Sequence, residues 1–477
     1  CGNGVLGPAA YRFVDFLKAA GQRVWQILPL TPPLMGDSPY LSESAFAGNE
    51  ALISLEVLRD WGWLKQEALD DFLAQGKKTA SWHSLAAYKA KLLWDMSHDP
   101  DLTIPWEPFR AFCEKNAYWL DDYALFRAVR DFFGGRCWTE WPEDIRHHSR
   151  EALAQYGKEL AGAVSHVKFM QYIFNRQWHD VRAYAAENGV SILGDVPMFV
   201  AHNSADCWAH QDQFDLDEAG NPSSVAGVPP DYFSADGQLW GNPLYDYQAM
   251  ARDNYQWWTD RFRRMMDLVD EVRVDHFRGF AAYWAVPAGS ETAKSGAWKD
   301  GPGLDLFRAV YQKIGRIRLV AEDLGVITDD VCTLKDALHL PGMKVIQFHL
   351  KDRADGRLAF DTEPDCIAYT GTHDNNTIRG WYEDDLTPSQ QLHVRQMLGL
   401  SDEAAPQEIV GALIAYTYCR RAETVIIPMQ DLLALPSSGR MNTPGVADGN
   451  WHWQLKEGQT TFDIAHWLAK VCRESGR

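Results

Sequence analysis

The chain has 477 residues, 46% of them hydrophobic and 23% charged, which supplies a sizeable core and leaves little room for extended disorder. A formal net charge of −19 opposes the phosphate backbone of nucleic acid and anionic membrane surfaces, so a neutral partner is expected. No apolar run is long enough for a membrane helix, which needs about 18 residues or more.

The first helical pattern covers residues 9–20 and leads into R-V-W-Q-I-L-P-L at 23–30, which reads as a buried strand. Residues 53–165 contain helix-like segments rich in Trp and Tyr, such as 82–96 and 117–133, and read as a helical insertion. A second strand is expected at 190–196. Residues 201–250 carry Gly, Pro, Asp and aromatics with little periodicity, and a long ordered loop of that kind is more often functional than decorative. Five more strands are expected at 272–277, 317–321, 343–350, 367–370 and 424–427, with helices at 255–269, 304–314 and 405–422. Strands alternating with helices imply a parallel sheet. Seven of them favour an α/β fold, a (β/α)8 TIM-type barrel whose first strand is expected upstream of Cys1. The expected layout is a barrel start at 1–52, the helical insertion at 53–165, and the rest of the barrel at 166–477 with a substrate-covering loop at about 201–250.

The eight cysteines are scattered, with no C-x-x-C pair and no metal-like spacing with histidine, which suits a reducing compartment. The opening Cys1-Gly2-Asn3 has no signal-like character, so a cytoplasmic location and a natural start further upstream are expected. Tryptophan (20) is nearly as frequent as phenylalanine (21), and indoles stack on sugar faces, although most are expected to be packing.

Three acids follow short β-prone runs: Asp275 in E-V-R-V-D-H-F-R-G-F, Glu322 in I-R-L-V-A-E-D-L-G, and Asp374 in G-T-H-D-N-N-T. A parallel barrel presents such strand ends on one face, and glycosidic-bond chemistry needs one acid to protonate the leaving oxygen and another to attack or steady the sugar cation. Each acid also has a plainer explanation. Asp275, with Arg273 two residues away on the same side of a strand, fits a structural ion pair as well as an ionised nucleophile. Glu322 or its neighbour Asp323 fits a helix cap, and Glu322 equally a proton donor in a partly apolar site. Asp374 fits a polar turn or a carboxylate that holds sugar hydroxyls. His276 and His373 stand beside two of the three acids and would donate to the same sugar ring. Asp195 closes the strand S-I-L-G-D-V-P at the rim, where a structural role is nearly as expected as substrate contact. The segment P-P-D-Y-F-S-A-D-G-Q-L-W-G-N-P at 229–243 fits either a lid over a sugar chain or a surface plug.

On these residues the sequence resembles the amylomaltase family, the 4-α-glucanotransferases or disproportionating enzymes. The resemblance runs nearly end to end, through residues 10–30, S-P-Y…S-A-F-A-G-N (38–49), G-V-P-P-D-Y-F-S-A-D-G-Q-L-W-G-N-P-L-Y (227–245), R-V-D-H-F-R-G-F, A-E-D-L-G, G-T-H-D-N-N-T and R-M-N-T-P-G…G-N-W-H-W (440–453). It implies a barrel with helical insertions and a retaining, two-step transfer. Asp275 would be the nucleophile that forms a covalent glucosyl intermediate, Glu322 the general acid and then base, and Asp374 the transition-state stabiliser. Arg273 would position Asp275, while His276, His373 and Asp195 hold sugar hydroxyls and Tyr40 stacks on the ring. The loop carrying Asp231, Tyr232, Phe233, Gln238, Trp240 and Asn242 would cover the substrate. The implied donor and acceptor are α-1,4-glucans, with no metal or organic cofactor; protein partners are left open. The sequence departs from the family pattern at Val5, where Asp is usual, and in lacking the family's upstream first strand. Two rivals are an α-1,4-glucan hydrolase with the same acids and a non-catalytic glucan-binding protein. A metal-dependent hydrolase is weakest, since no H-E-x-x-H is present.

Overall fold

A computed structural model describes residues 4–34, 36–78, 82–230, 235–352, 358–446 and 448–477. The seven expected strands form: β1 (Val24–Gln26), β2 (Ser191–Val196), β3 (Glu271–Val274), β4 (Leu319–Ala321), β5 (Gly342–Val345), β6 (Cys366–Tyr369) and β7 (Thr424–Ile426). All their pairings are parallel, in the orders β1-β2-β3-β4 and β5-β6-β7. The amide of Ala321 donates to the Pro341 carbonyl at 2.9 Å, which ties β4 to the chain entering β5. Among the described residues β7 and β1 share no ladder; a cavity of about 280 Å³ lies between them, lined by Val24, Trp25, Val425 and Ile426. The fold is α/β and of the barrel type, and among the described residues β1 and β7 have no ladder partner on the side facing that cavity.

Side-chain alternation divides every strand into an inner and an outer row. Leu193, Val320, Met343, Val345, Ile367 and Tyr369 pack together as a separate apolar cluster inside the curved sheet. Ile192, Val272, Val274, Leu319 and Ala321 point the other way, into the large core shared with the helices. Fully burying one Val, Leu or Ile stabilises by about 1.5–3 kcal/mol, so the inner cluster alone makes a firm floor. Register then sets what stands above it: Asp195 on β2 lies directly opposite Arg273 on β3.

The expected strand at 343–350 is corrected. Only Gly342–Val345 is extended, and Ile346–His349 turns into a short helix. That turn carries Gln347, whose amide donates to the carbonyls of Thr370 and Asn376, both at 3.0 Å. An apolar run reads the same as strand or buried helix, so periodicity alone cannot locate the break.

Helices fill most of the stretch after residue 54, including Trp106–Phe132 and Ala161–Glu187, which are 27 residues each. The second of these carries two buried glutamines that fasten the segment following Tyr40. Gln171 exchanges hydrogen bonds with both backbone groups of Gly48, and Gln177 does the same with Ser54. Residue 48 must be glycine, because a Cβ there would lie 2.0 Å from the Phe174 ring. Within 201–250 the chain contributes strands Ser224–Val228 and Gln238–Pro243 to an antiparallel sheet completed by Ala282–Pro287 and Ala297–Asp300. Among the described residues no helix is long and apolar enough to cross a membrane.

Candidate active site

Arg273 stands at the centre. Its Nη1 donates to both carboxylate oxygens of Asp195, at 2.9 and 2.7 Å, and its Nη2 lies 2.8 Å from Asp275 Oδ1. The Arg273 side chain is 4% exposed, that of Asp195 1%, and that of Asp275 30%. Asp275 is therefore the acid of this trio that opens to an incoming ligand. Burial works against the charge of Arg273, but Asp195 and Asp275 more than offset it, so the guanidinium stays protonated. Burial pushes the Asp195 carboxyl up from its usual range, partly countered by Arg273. The Tyr40 hydroxyl donates to Asp195 Oδ2 at 2.7 Å, which completes the satisfaction of that buried acid.

Glu322 follows β4 immediately. Its two oxygens accept from the amides of Leu324 and His276, each at 2.9 Å. Burial raises its pKa to about 7, reinforced by Asp275 and opposed by Arg273 and the two amides. Two amide hydrogen bonds to the charged form pull a carboxyl pKa down, while loss of water pushes it up; here desolvation wins. The neighbouring Asp323 points elsewhere, pairing with Lys335 at 2.7 Å and accepting from the Met343 amide.

Asp374 sits in a loop after β6. Asn442 donates its side-chain amide to Asp374 Oδ1 at 2.6 Å, and Arg440 donates to the Asp374 carbonyl at 2.6 Å. His373 Nε2 lies 3.4 Å from the same Oδ1, while its Nδ1 is 3.3 Å from the Tyr40 hydroxyl. The Tyr40 and His373 rings stack with centroids 4.8 Å apart, and Trp451 packs against both. Tyr40 thus joins Asp195 to His373, and through it Asp275 to Asp374.

His276 takes a left-handed backbone conformation, φ 50°, at the turn leaving β3. Burial lowers its pKa to about 4, so the ring is neutral at physiological pH. Among the described residues its Nε2 is buried without a protein partner, and Trp240 meets the ring edge-on at 4.7 Å. A neutral imidazole with one unspent nitrogen suits a hydroxyl ligand. On the same strand Gln238 accepts from the Trp240 indole at 3.1 Å, and Asn242 donates to the Val200 carbonyl at 2.9 Å. Asn242 therefore anchors the strand, while Trp240 is partly open. The expected site residues Asp231, Tyr232 and Phe233 lie outside the described residues.

Arg440, Asn442, Trp451 and Phe199 were not singled out individually from the sequence. The first three belong to the R-M-N-T-P-G…G-N-W-H-W stretch, so that motif was the available signal. Phe199 packs near both Trp240 and His276. Hydrogen bonds to charged groups are worth about 1.5–3 kcal/mol, so Asn442→Ala is expected to slow turnover by roughly 10–100-fold. Asn442→Asp, which sets a second carboxylate against Asp374, should cost more. Equal rates for both variants and wild type would show that this contact does not hold Asp374.

A protonatable glutamate beside an arginine-paired aspartate, at the C-terminal ends of parallel strands, defines the class: an α/β enzyme equipped for glycosidic bonds. The chain belongs to the 4-alpha-glucanotransferase family, glycoside hydrolase family 77, whose model matches residues 1–460. It is 41% identical over 484 residues to the 4-alpha-glucanotransferase of Synechocystis, covering 100% of this chain and 95% of that enzyme. It is 42% identical over 468 residues to the Thermus thermophilus enzyme of the same name, covering 96% and 92%. Among solved structures it resembles an amylomaltase from Streptococcus agalactiae in complex with acarbose, with a TM-score of 0.92 and 33% identity over 100% of this chain and 96% of that one. It is an enzyme of the 4-α-glucanotransferase type.

Proposed function

We propose that the protein transfers α-1,4-glucan segments between maltooligosaccharides, or starch- and glycogen-like glucans, by a retaining double displacement through a covalent glucosyl-aspartate. The observation that carries this is the contrast between two neighbouring acids. Glu322 holds its proton up to about pH 7, while Asp275 is paired with a guanidinium and its side chain is 30% exposed.

In the first step an Asp275 oxygen attacks C1 of the donor glucose. The C1–O bond breaks, and Glu322 gives its proton to the departing oxygen. In the second step the 4-hydroxyl of an acceptor glucan attacks C1 of the ester. Glu322, now a carboxylate, takes the hydroxyl proton and Asp275 leaves. Asp374 accepts hydrogen bonds from the sugar and steadies the cation-like transition state. Arg273 orients Asp275, Asp195 holds Arg273 and Tyr40 in place, and His276 and His373 hold hydroxyls of the ring, against which Tyr40 packs. The 231–242 segment, with Asp231, Tyr232, Phe233, Gln238, Trp240 and Asn242, covers donor and acceptor. The helical stretch at 53–165 flanks this site as an insertion.

Incubation with maltotriose tests the reading. Glucose plus longer oligomers, with a constant number of reducing ends, are expected. Rising reducing ends without elongation would make the protein a hydrolase, and no reaction would point to a binding protein.

A further inference from the structure

The loop bearing His373 and Asp374 begins and ends at residues held by one side chain. Thr370, the residue after β6, donates its hydroxyl to Asp431 Oδ2 at 2.6 Å. Ile378, just beyond the loop, donates its backbone amide to Asp431 Oδ1 at 2.7 Å. Thr370 and Ile378 are fully buried and Asp431 is 1% exposed. Asp431 comes from a different part of the barrel, the helical turn Met429–Leu432 after β7.

We propose that Asp431 is a positioning residue for the transfer reaction, clamping both ends of the loop so that Asp374 is fixed over the sugar. This rests on the role given to Asp374 above. Within the loop, Asn375 Oδ1 accepts from the amide and hydroxyl of Thr372, both at 2.9 Å, which sets its shape. Placement comes from outside it. Gln347, on the turn after β5, bridges the carbonyls of Thr370 and Asn376, while from the chain after β7 Asp431 takes the two ends and Arg440 and Asn442 take the middle.

The residue type follows from the geometry. A donor arrives at each end of the loop, so the clamp must accept at both of its atoms, which a carboxylate does. Burial raises its pKa to about 6, against the pull of those two donors, so it is ionised at neutral pH. Gly371 allows the tight entry, since a Cβ there would sit 2.9 Å from the Gln347 amide nitrogen. The Asp431→Asn amide still accepts from Ile378, while its nitrogen can donate to the Thr370 oxygen, so that variant keeps the clamp in weakened form.

The test is a double-mutant cycle with Asp374→Asn, using α-maltotriosyl fluoride as donor so that weak activity is measured as fluoride release. Asp431→Ala alone is expected to lower kcat by about 10²-fold, the cost of a small misplacement, with KM nearly unchanged. In the Asp374→Asn background the same change should cost almost nothing, because a residue acting only through Asp374 has nothing left to position. Asp431→Asn should recover most of the lost rate. Equal losses in both backgrounds, or wild-type kcat in Asp431→Ala, overturn the proposal. If Asp431→Ala does not fold, Thr370→Val, which releases one end only, carries the same cycle with a smaller expected loss. Near wild-type activity in Asp374→Asn alone would instead overturn the role of Asp374, and the clamp's catalytic purpose with it.

Discussion

Asp275→Asn is expected to lower kcat by on the order of 10⁴–10⁶-fold, the scale of removing a covalent nucleophile, while leaving glucan binding largely intact. The amide matches the carboxylate in size but lacks its negative charge and nucleophilicity, so no glucosyl ester accumulates. The fold should tolerate the change. Arg273 keeps both of its bonds to Asp195, which is the more deeply buried of its two partners. The guanidinium is thus left with a counter-charge, and the large penalty of an unpaired buried ion is avoided. Calorimetric titration with a maltooligosaccharide should find affinity near that of the wild type, alongside loss of the product ladder from maltotriose. Activity close to wild type would remove Asp275 from the nucleophile's place.

Glu322→Gln is expected to cost about 10²–10⁴-fold on maltooligosaccharides, the usual contribution of general acid–base catalysis, and much less on a glucosyl fluoride. Fluoride departs with little protonation, so the first step no longer needs the proton. The pH dependence gives an independent signature. Burial, with the nearby charge of Asp275, raises the Glu322 pKa to about 7, so the acid form prevails below that pH and is lost above it. The wild-type kcat/KM should therefore fall on the alkaline side of about pH 7, approaching tenfold per unit. In the Gln variant that limb should vanish, because the amide does not titrate. Equal losses on both donors, or an unchanged alkaline limb, would count against the acid role.

The positions of these acids were legible because strand ends are a one-dimensional signal. A β-branched run such as V-R-V or L-V-A, ending in a carboxylate, shows both the strand and the residue it delivers. The pairing of Arg273 with Asp275 followed from alternation, whereas its stronger pairing with Asp195 depends on register between β2 and β3, which single-sequence patterns do not contain. Asp431, Arg440 and Asn442 were illegible as individuals for a similar reason. Each is a polar residue in an irregular segment, and its meaning comes from contact with a loop more than fifty residues earlier. The two strands within 201–250 are hidden because Gly and Pro interrupt their alternation. The turn at Ile346–His349 escaped because its residues are as apolar as the strand before it.

Tyr40 touches His373 across 333 residues of chain, Gln26 meets Tyr369 across 343, and Gln22 meets Tyr418 across 396. Such separations belong to slow-folding topologies, in which long loops must close before the contacts that reward them. A nascent chain that has emerged only as far as Asp374 already carries all three acids but lacks Asp431, Arg440 and Asn442, which hold the loop of Asp374 in the folded protein. The geometry of the site is therefore completed late, by the joining of the first and last thirds of the chain.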